Sequence, residues 1–256
     1  MRRPLFTILV LLLTATAAAA QTCPNPDALG TSRVLEVSAA TTPRVGRKEF
    51  PQTLPLGPKE LVLTFDDGPI PATTPRILDA LKAECVHATF FLIGREAAAA
   101  PALVRREAAE GHTVAHHSYS HPLLSHMPID KAEANIDKGM AADDKALYGV
   151  WRGNPVVPFF RFPGFASTPA LLDRLEQRHI AVFGADVWAS DWNETTPQYE
   201  LDLILSRIDK IGRGIVLFHD SKARTARMLP SFLRELKRRG YHIVHVVPAG
   251  HGPLSH

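Results

Sequence analysis

The sequence predicts an α/β protein whose single domain is a distorted (β/α) barrel of about seven parallel strands. Three observations predict it. From Lys59 onward, short apolar runs alternate with amphipathic stretches long enough to be helices, and strands joined by such crossovers pair in parallel. The unusual polar clusters fall directly after the apolar runs, on the face where α/β barrels build their sites. Neither a glycine-rich dinucleotide fingerprint nor a phosphate loop is present, which argues against an open nucleotide-binding sheet.

Each element has its own justification. Met1-Arg2-Arg3, the apolar run Pro4 to Leu13 and the alanines ending at Ala20 have the charge, core and small-residue flank of a secretory signal peptide. Residues 1–20 are therefore expected to be cleaved, delivering the chain to the periplasm or the medium. The apolar run is too short for a bilayer span, and no later stretch supplies a transmembrane anchor. Residues 21–58, rich in Pro, Thr and Gly, read as an extended arm or linker. The domain is expected over residues 59–248, followed by a tail at 249–256.

Within the domain, Leu61 to Phe65 reads as a buried strand. Thr74 to Glu84 reads as a helix with Ile77, Leu78 and Leu81 on one face. Ala88 to Ile93 is the next strand. Pro101 to Glu110 is the next helix, with Pro at its start and Gly111 past its end. The rhythm continues as strands at 112–115, 159–162, 180–183, 214–218 and 242–247, separated by helices at 131–148, 168–177, 197–211 and 228–238.

A formal charge of +3, not gathered into one region, gives nucleic-acid binding no support. Two cysteines, Cys23 and Cys85, do not make a disulfide framework, although export permits a bridge. Oligomeric state is not legible.

Five clusters carry chemistry. Asp66 and Asp67 stand together at the end of the first strand, where one acid can bind a cation and the other handle a proton; Gly68-Pro69 then turns the chain. Four histidines crowd residues 112–121. His117 and His121 are four apart, so on a helical turn both rings would face one side and offer two nitrogens to a zinc-like ion. His112 and His116 share that spacing, and the two pairs are equivalent at this level. No His-Glu-x-x-His occurs, so the zinc-protease motif is absent. Arg161 follows an apolar strand and has the donor fork to orient a carboxylate. Asp186, Trp188, Asp191 and Trp192 put acids and indoles at another strand end, a composition suited to a sugar platform. His219 ends the strand Ile215 to Phe218 and suits proton donation near neutral pH.

Taken together, Thr64-Phe65-Asp66-Asp67-Gly68-Pro69, His117-Ser118-Tyr119-Ser120-His121-Pro122, Arg161-Phe162-Pro163-Gly164 and Leu217-Phe218-His219-Asp220 resemble the motifs of the polysaccharide deacetylases of carbohydrate esterase family four, the NodB-homology domain. The resemblance runs in the family's order from Leu61 to Val247. It implies a divalent metal ion held by Asp67, His117 and His121; imidazole and carboxylate ligands suit zinc, with cobalt, nickel or manganese also compatible. It implies Asp66 as general base, Arg161 as the arginine that positions it, and His219 as general acid. Leu217 would line the acetyl-methyl pocket, and Phe165 and Trp192 would wall the groove. The implied substrate is an acetylated polysaccharide, with loss of an N-acetyl group as the reaction. An O-acetyl esterase acting on xylan or an exopolysaccharide, or a non-catalytic carbohydrate-binding member, are the alternatives. Two departures from the family's pattern bear on the site. The order Pro163-Gly164-Phe165 differs from many relatives, and Trp188 stands where they carry an acid. Asp191 is therefore assigned to the catalytic set with Asp186 as its competitor.

Overall fold

The sheet is built on a two-residue alternation that the apolar runs carry. The structure is a computed structural model and describes residues 23–250. In β3 (Glu60–Asp66), Leu61, Leu63 and Phe65 pack outward against helices, while Val62 joins a second cluster on the opposite, inner face. Successive side chains of a strand point to opposite faces, so Thr64 and Asp66 share the inner face with Val62. The same alternation separates Phe90 from Phe91 in β4 (Thr89–Leu92), and Val216 and Phe218 from Ile215 in β9 (Gly214–His219). Phe65 stacks between Phe90 and Phe218, at ring-centroid distances of 5.1 and 5.6 Å. Burying a side chain of this size contributes about 1.5–3 kcal/mol.

Every strand pairing is parallel. One series runs β8 (Val187–Trp188), β9, β3, β4, β5 (Thr113–His116), β6 (Phe159–Phe160) and β7 (Ala181–Phe183). These are the strands of a distorted barrel whose two ends, β7 and β8, are consecutive in the chain. Helices α1 (Thr74–Ala83), α2 (Gly94–Ala99), α3 (Pro101–Ala109), α4 (Ile129–Tyr148), α5 (Pro169–Gln177), α6 (Pro197–Ile211) and α7 (Ala223–Arg238) supply the crossovers. Two of them start as their sequences dictate. Thr168 and Thr196 accept from the N–H groups of Leu171 and Tyr199, each with Pro at the next position.

Three expected elements are corrected, and the stretch 21–58, expected as an extended arm or linker, carries strands: β1 (Thr31–Val37) pairs with β10 (His242–Pro248), and β2 (Arg44–Val45) pairs with β7. β1 alternates half-buried and exposed residues at a sheet edge, a pattern weaker than that of a buried strand. α7 begins at Ala223, not Met228, and accommodates Pro230 in its interior. α2 follows β4 almost at once and was not expected, being short and opened by Gly94. The strand expected at 159–162 stops at Phe160, because Pro163 has no N–H and opens a single 3₁₀ turn, Pro163–Phe165.

Cys23 and Cys85 form a disulfide, Cα atoms 5.8 Å apart, which fastens the start of the described chain to the turn after α1. Hydrogen bonds from Gly30 N to Glu84 O (2.8 Å) and from His87 N to Thr31 Oγ1 (2.8 Å) reinforce the attachment. Among the described residues no helix is long and apolar enough to cross a membrane. The leader expected at 1–20 and most of the tail lie outside the described residues.

Candidate active site

The inner-face positions at the carboxyl ends of the strands converge. Asp66 ends β3, His117 follows β5, Arg161 follows β6 and His219 ends β9. Strand alternation decides between the two histidine pairs. His116, one residue before His117, points outward and meets Asp143 of α4, Nδ1 to Oδ2 2.8 Å. His112 accepts from the N–H of Ala88 through its Nδ1 at 3.2 Å. His117 turns inward.

Asp67, His117 and His121 bring one ligand atom each to within 4.8 Å of one another, a set that could hold a metal ion. His121 Nε2 is 3.3 Å, and His117 Nε2 3.8 Å, from Asp67 Oδ1. His117 donates from Nδ1 to the carbonyl of Arg161 (2.8 Å), which leaves the lone pair on Nε2 facing the carboxylate. Burial lowers the pKa of His117 to about 3, so its ring is neutral and able to ligate. Asp67 Oδ1 is buried without a hydrogen-bond partner among the described residues, a costly state unless a cation faces it. These features fit a divalent cation. The side chain of His121 is 35% exposed, so the trio opens to solvent on that side.

The histidines do not meet on a helical turn. Residues 117–123 are irregular, and Ser118 and His121 take φ of 64° and 60°. The bend, not the period of a helix, brings the two rings to 5.0 Å. It is held by α4, a contribution sequence reading missed. Asn135 Oδ1 accepts from the N–H of Tyr119 (3.0 Å), Asn135 Nδ2 donates to Ser120 Oγ (2.9 Å), and Tyr119 N also donates to Asn135 O (3.1 Å). Gly139 lets the helix approach: a Cβ there would lie 2.4 Å from the backbone carbon of Ser118.

Asp66 is fixed by a buried guanidinium. Arg161 donates from Nη1 to Asp66 Oδ1 (2.6 Å) and Thr64 Oγ1 (2.9 Å), from Nη2 to Gly184 O (2.8 Å) and from Nε to Phe183 O (3.2 Å). Its other face lies over Phe91, 4.2 Å from the ring centroid. Asp66 Oδ2 is left 3.7 Å from His117 Nε2, beside the trio. Burial raises the pKa of Asp66, opposed by the charges of Arg161 and His219.

His219 is held by a carboxylate of its own. Asp191 accepts from His219 Nδ1 at Oδ1 (2.7 Å) and from His219 N at Oδ2 (2.6 Å). Burial alone would lower the imidazole pKa; the hydrogen bond and charge of Asp191, with the charges of Asp66 and Asp67, outweigh it and raise it to about 9. Asp186 is the anchor of the arm instead, accepting from Arg47 N (3.0 Å), Thr53 Oγ1 (2.6 Å) and Ile215 N (2.7 Å). Trp192 is 48% exposed and meets His219 edge-on, with ring centroids 5.8 Å apart. Leu217 is buried in register with Thr64 and Trp188. Phe165 is half-buried on the turn after Arg161, its N–H bonded to Phe162 O (2.9 Å). Asp220 was not singled out. It accepts from Thr74 Oγ1 (2.6 Å) and underlies the Asp67–Gly68 turn, where a Cβ on Gly68 would lie 2.0 Å from Asp220 Oδ2.

Comparison with known proteins agrees with this geometry. The profile of the polysaccharide deacetylase family matches residues 54–183. A peptidoglycan-N-acetylglucosamine deacetylase of Bacillus cereus is 30% identical over 214 residues, covering 78% of this chain and 95% of the relative. A chitooligosaccharide deacetylase of Bradyrhizobium is 31% identical over 220 residues, covering 76% of this chain and 92% of the relative. Among solved structures, a Bdellovibrio bacteriovorus peptidoglycan deacetylase superposes with a TM-score of 0.77 at 32% identity, covering 88% of this chain. This chain spans 61% of that structure's length. The chain belongs to the polysaccharide deacetylase family.

Proposed function

We propose that the protein is an exported, metal-dependent deacetylase that hydrolyses N-acetyl groups of a polysaccharide, peptidoglycan or chitin-like, to free amine and acetate. One observation carries the reading: a cation-type trio stands beside a carboxylate held by Arg161 and an imidazole held by Asp191. That combination suits acyl transfer to water followed by protonation of an amine. The substrates named for the Bacillus cereus and Bradyrhizobium relatives support the polymer class. The charged, apolar and small-residue leader supports export.

Asp67, His117 and His121 would hold the ion. Two imidazoles and one carboxylate suit zinc first, with cobalt, nickel or manganese compatible. When bound, a divalent ion supplies Lewis acidity, polarising an acetyl carbonyl and acidifying water. Asp66, with Oδ1 tied to Arg161, takes the proton of the attacking water on Oδ2. The water oxygen bonds to the acetyl carbon and a tetrahedral centre forms. His219, with Nδ1 committed to Asp191, delivers its Nε2 proton to the departing amine nitrogen as the carbon–nitrogen bond breaks. Leu217 faces the acetyl methyl, and Trp192 and Phe165 offer apolar walls to the sugar.

The test is acetate release from chitin oligomers, peptidoglycan and acetylxylan, with and without a chelator. Release from an N-acetylated polymer, abolished by the chelator and restored by zinc, is the expected result. Release from acetylxylan alone would replace the reading with an O-acetyl esterase, and no release from any polymer would remove it.

A further inference from the structure

Behind His219 the polar chain does not end at Asp191. Thr225, in the first turn of α7, places Oγ1 3.0 Å from Asp191 Oδ2 and 2.9 Å from Glu200 Oε1 of α6. Asp191, Glu200 and Thr225 are all fully buried. Glu200 Oε2 has no hydrogen-bond partner among the described residues. A hydroxyl carries one proton, so it cannot donate to two carboxylates. If both acids were ionised, one of these short oxygen–oxygen contacts would be repulsive and uncompensated in a buried place.

One additional proton resolves the conflict, and its position is determined. Asp191 already accepts two N–H bonds from His219, at 2.6 and 2.7 Å, which stabilise its ionised form. Glu200 accepts no such donors among the described residues. The proton therefore belongs to Glu200. The chain then runs from Glu200 O–H to Thr225 Oγ1, from Thr225 O–H to Asp191 Oδ2, and from His219 Nδ1–H to Asp191 Oδ1, each contact attractive. Of the charged groups near Glu200, Asp191 favours its protonated form, while Arg224 and His219 oppose it. Burial is the largest influence and favours the neutral acid, raising its pKa to about 7.

We propose that Glu200 and Thr225 are positioning residues of the general acid, a protonated carboxyl and a hydroxyl that together orient the Asp191 carboxylate and, through it, the His219 ring. This rests on the reading of His219 as the acid. Neither residue touches substrate. Their contribution is to hold Asp191 with both oxygens engaged, so that His219 Nε2 keeps its direction as it gives up its proton.

The test uses the metal-loaded protein, acetate release from an N-acetylated chitooligosaccharide, and four variants. Glu200→Leu and Thr225→Val remove donors at nearly constant volume. Each is expected to lower kcat about 10- to 100-fold, the usual cost of an outer hydrogen-bond partner, with KM little changed. Glu200→Gln, which keeps a donor, and Thr225→Ser, which keeps the hydroxyl, are expected to recover most of the loss. Infrared difference spectroscopy below neutral pH reads the proton without turnover: the C=O stretch of a protonated carboxylic acid should disappear in Glu200→Gln. If Thr225→Val fails to fold, the two Glu200 variants still decide. Parent kcat in Glu200→Leu, equal damage in Glu200→Gln and Glu200→Leu, or no infrared difference would overturn the proposal. An inactive His219→Ala beside a fully active Thr225→Val would sink the relay alone. Full acetate release by His219→Ala would instead remove the general-acid reading on which the relay rests.

Discussion

Asp66 and Asp67 are neighbours in sequence with different partners, and their variants should fail differently. Asp66 is bonded to Arg161, whereas Asp67 meets the two imidazoles and, among the described residues, has no hydrogen bond to its buried Oδ1. Asp66→Asn is expected to keep the metal and lose about 10²- to 10⁴-fold in rate, the range for a general base. His117→Ala is expected to lose the metal itself; metal analysis of the purified variants separates the two, and an Asp66→Asn protein with full activity would refute the assignment. The proton loads also set a pH profile. The base works ionised and the acid works protonated, so activity should rise as Asp66 loses its proton and fall at a pH above the ordinary imidazole range, where His219, held charged by Asp191, loses its own. His219→Gln should remove the alkaline limb and, by taking away a positive charge that favours ionised Asp66, move the acid limb upward as well. The raised pKa of His219 is also linked to stability. A folded-state pKa raised above the ordinary 6.5 means that the His219–Asp191 pair contributes its full stabilisation below that value and loses it as the pH rises through about 9. Urea unfolding midpoints across that interval check the sign.

At the scale of elements, the carboxyl-terminal strand positions of the chemistry are legible in the sequence. Period-two alternation separates His116 from His117 and puts Asp66, Arg161 and His219 on one face. The route by which His121 arrives is not legible as a helical turn, because it depends on left-handed backbone at Ser118 and His121 and on the surface of α4. Spacing alone records neither. Asp186 and Asp191 likewise flank a strand of only two residues, too short for a period to assign their faces. The α4 contact gives a prediction in which two effects compete. Gly139→Ala should favour the helix by about 0.5–1 kcal/mol. Its Cβ, however, would sit 2.4 Å from the carbon and 2.7 Å from the oxygen of the Ser118 carbonyl, backbone that cannot rotate away. Overpacking of this kind costs about 1–3 kcal/mol and should win. Because Ser118 lies between the two histidines, the variant should also bind zinc more weakly. Thermal unfolding and a zinc titration test both effects; tighter or equal binding would mean the loop has room that the close approach denies it.

At the scale of the molecule, the parallel α/β architecture follows from the alternation of apolar runs and long amphipathic stretches, whereas the amino-terminal arm does not announce its strands. Thr31 to Val37 mixes polar and apolar residues because it lies at a sheet edge with one side wet, and its partner, β10, is more than two hundred residues away in sequence. The disulfide belongs to the same long-range arrangement. Cys23 and Cys85 are 62 residues apart, and a loop of that length gives about 4 kcal/mol in the chain-entropy description. The measured effect should be smaller. Gly30, Leu29 and Thr31 already tie the arm to residues 84–87 by hydrogen bonds, so breaking the bridge frees residues 23–28 before it frees the arm. We expect the double variant Cys23→Ser, Cys85→Ser to lose about 2 kcal/mol, a fall in Tm of about 4–8 °C for a domain of this size. Catalysis should be spared. Cys85 precedes β4, at the amino-terminal end of the strands, while the site residues stand at their carboxyl ends. Calorimetry of the parent and the double variant, with acetate release measured well below both transitions, checks the two halves of the expectation. A loss of kcat in the folded variant would show that the two ends of the barrel are coupled.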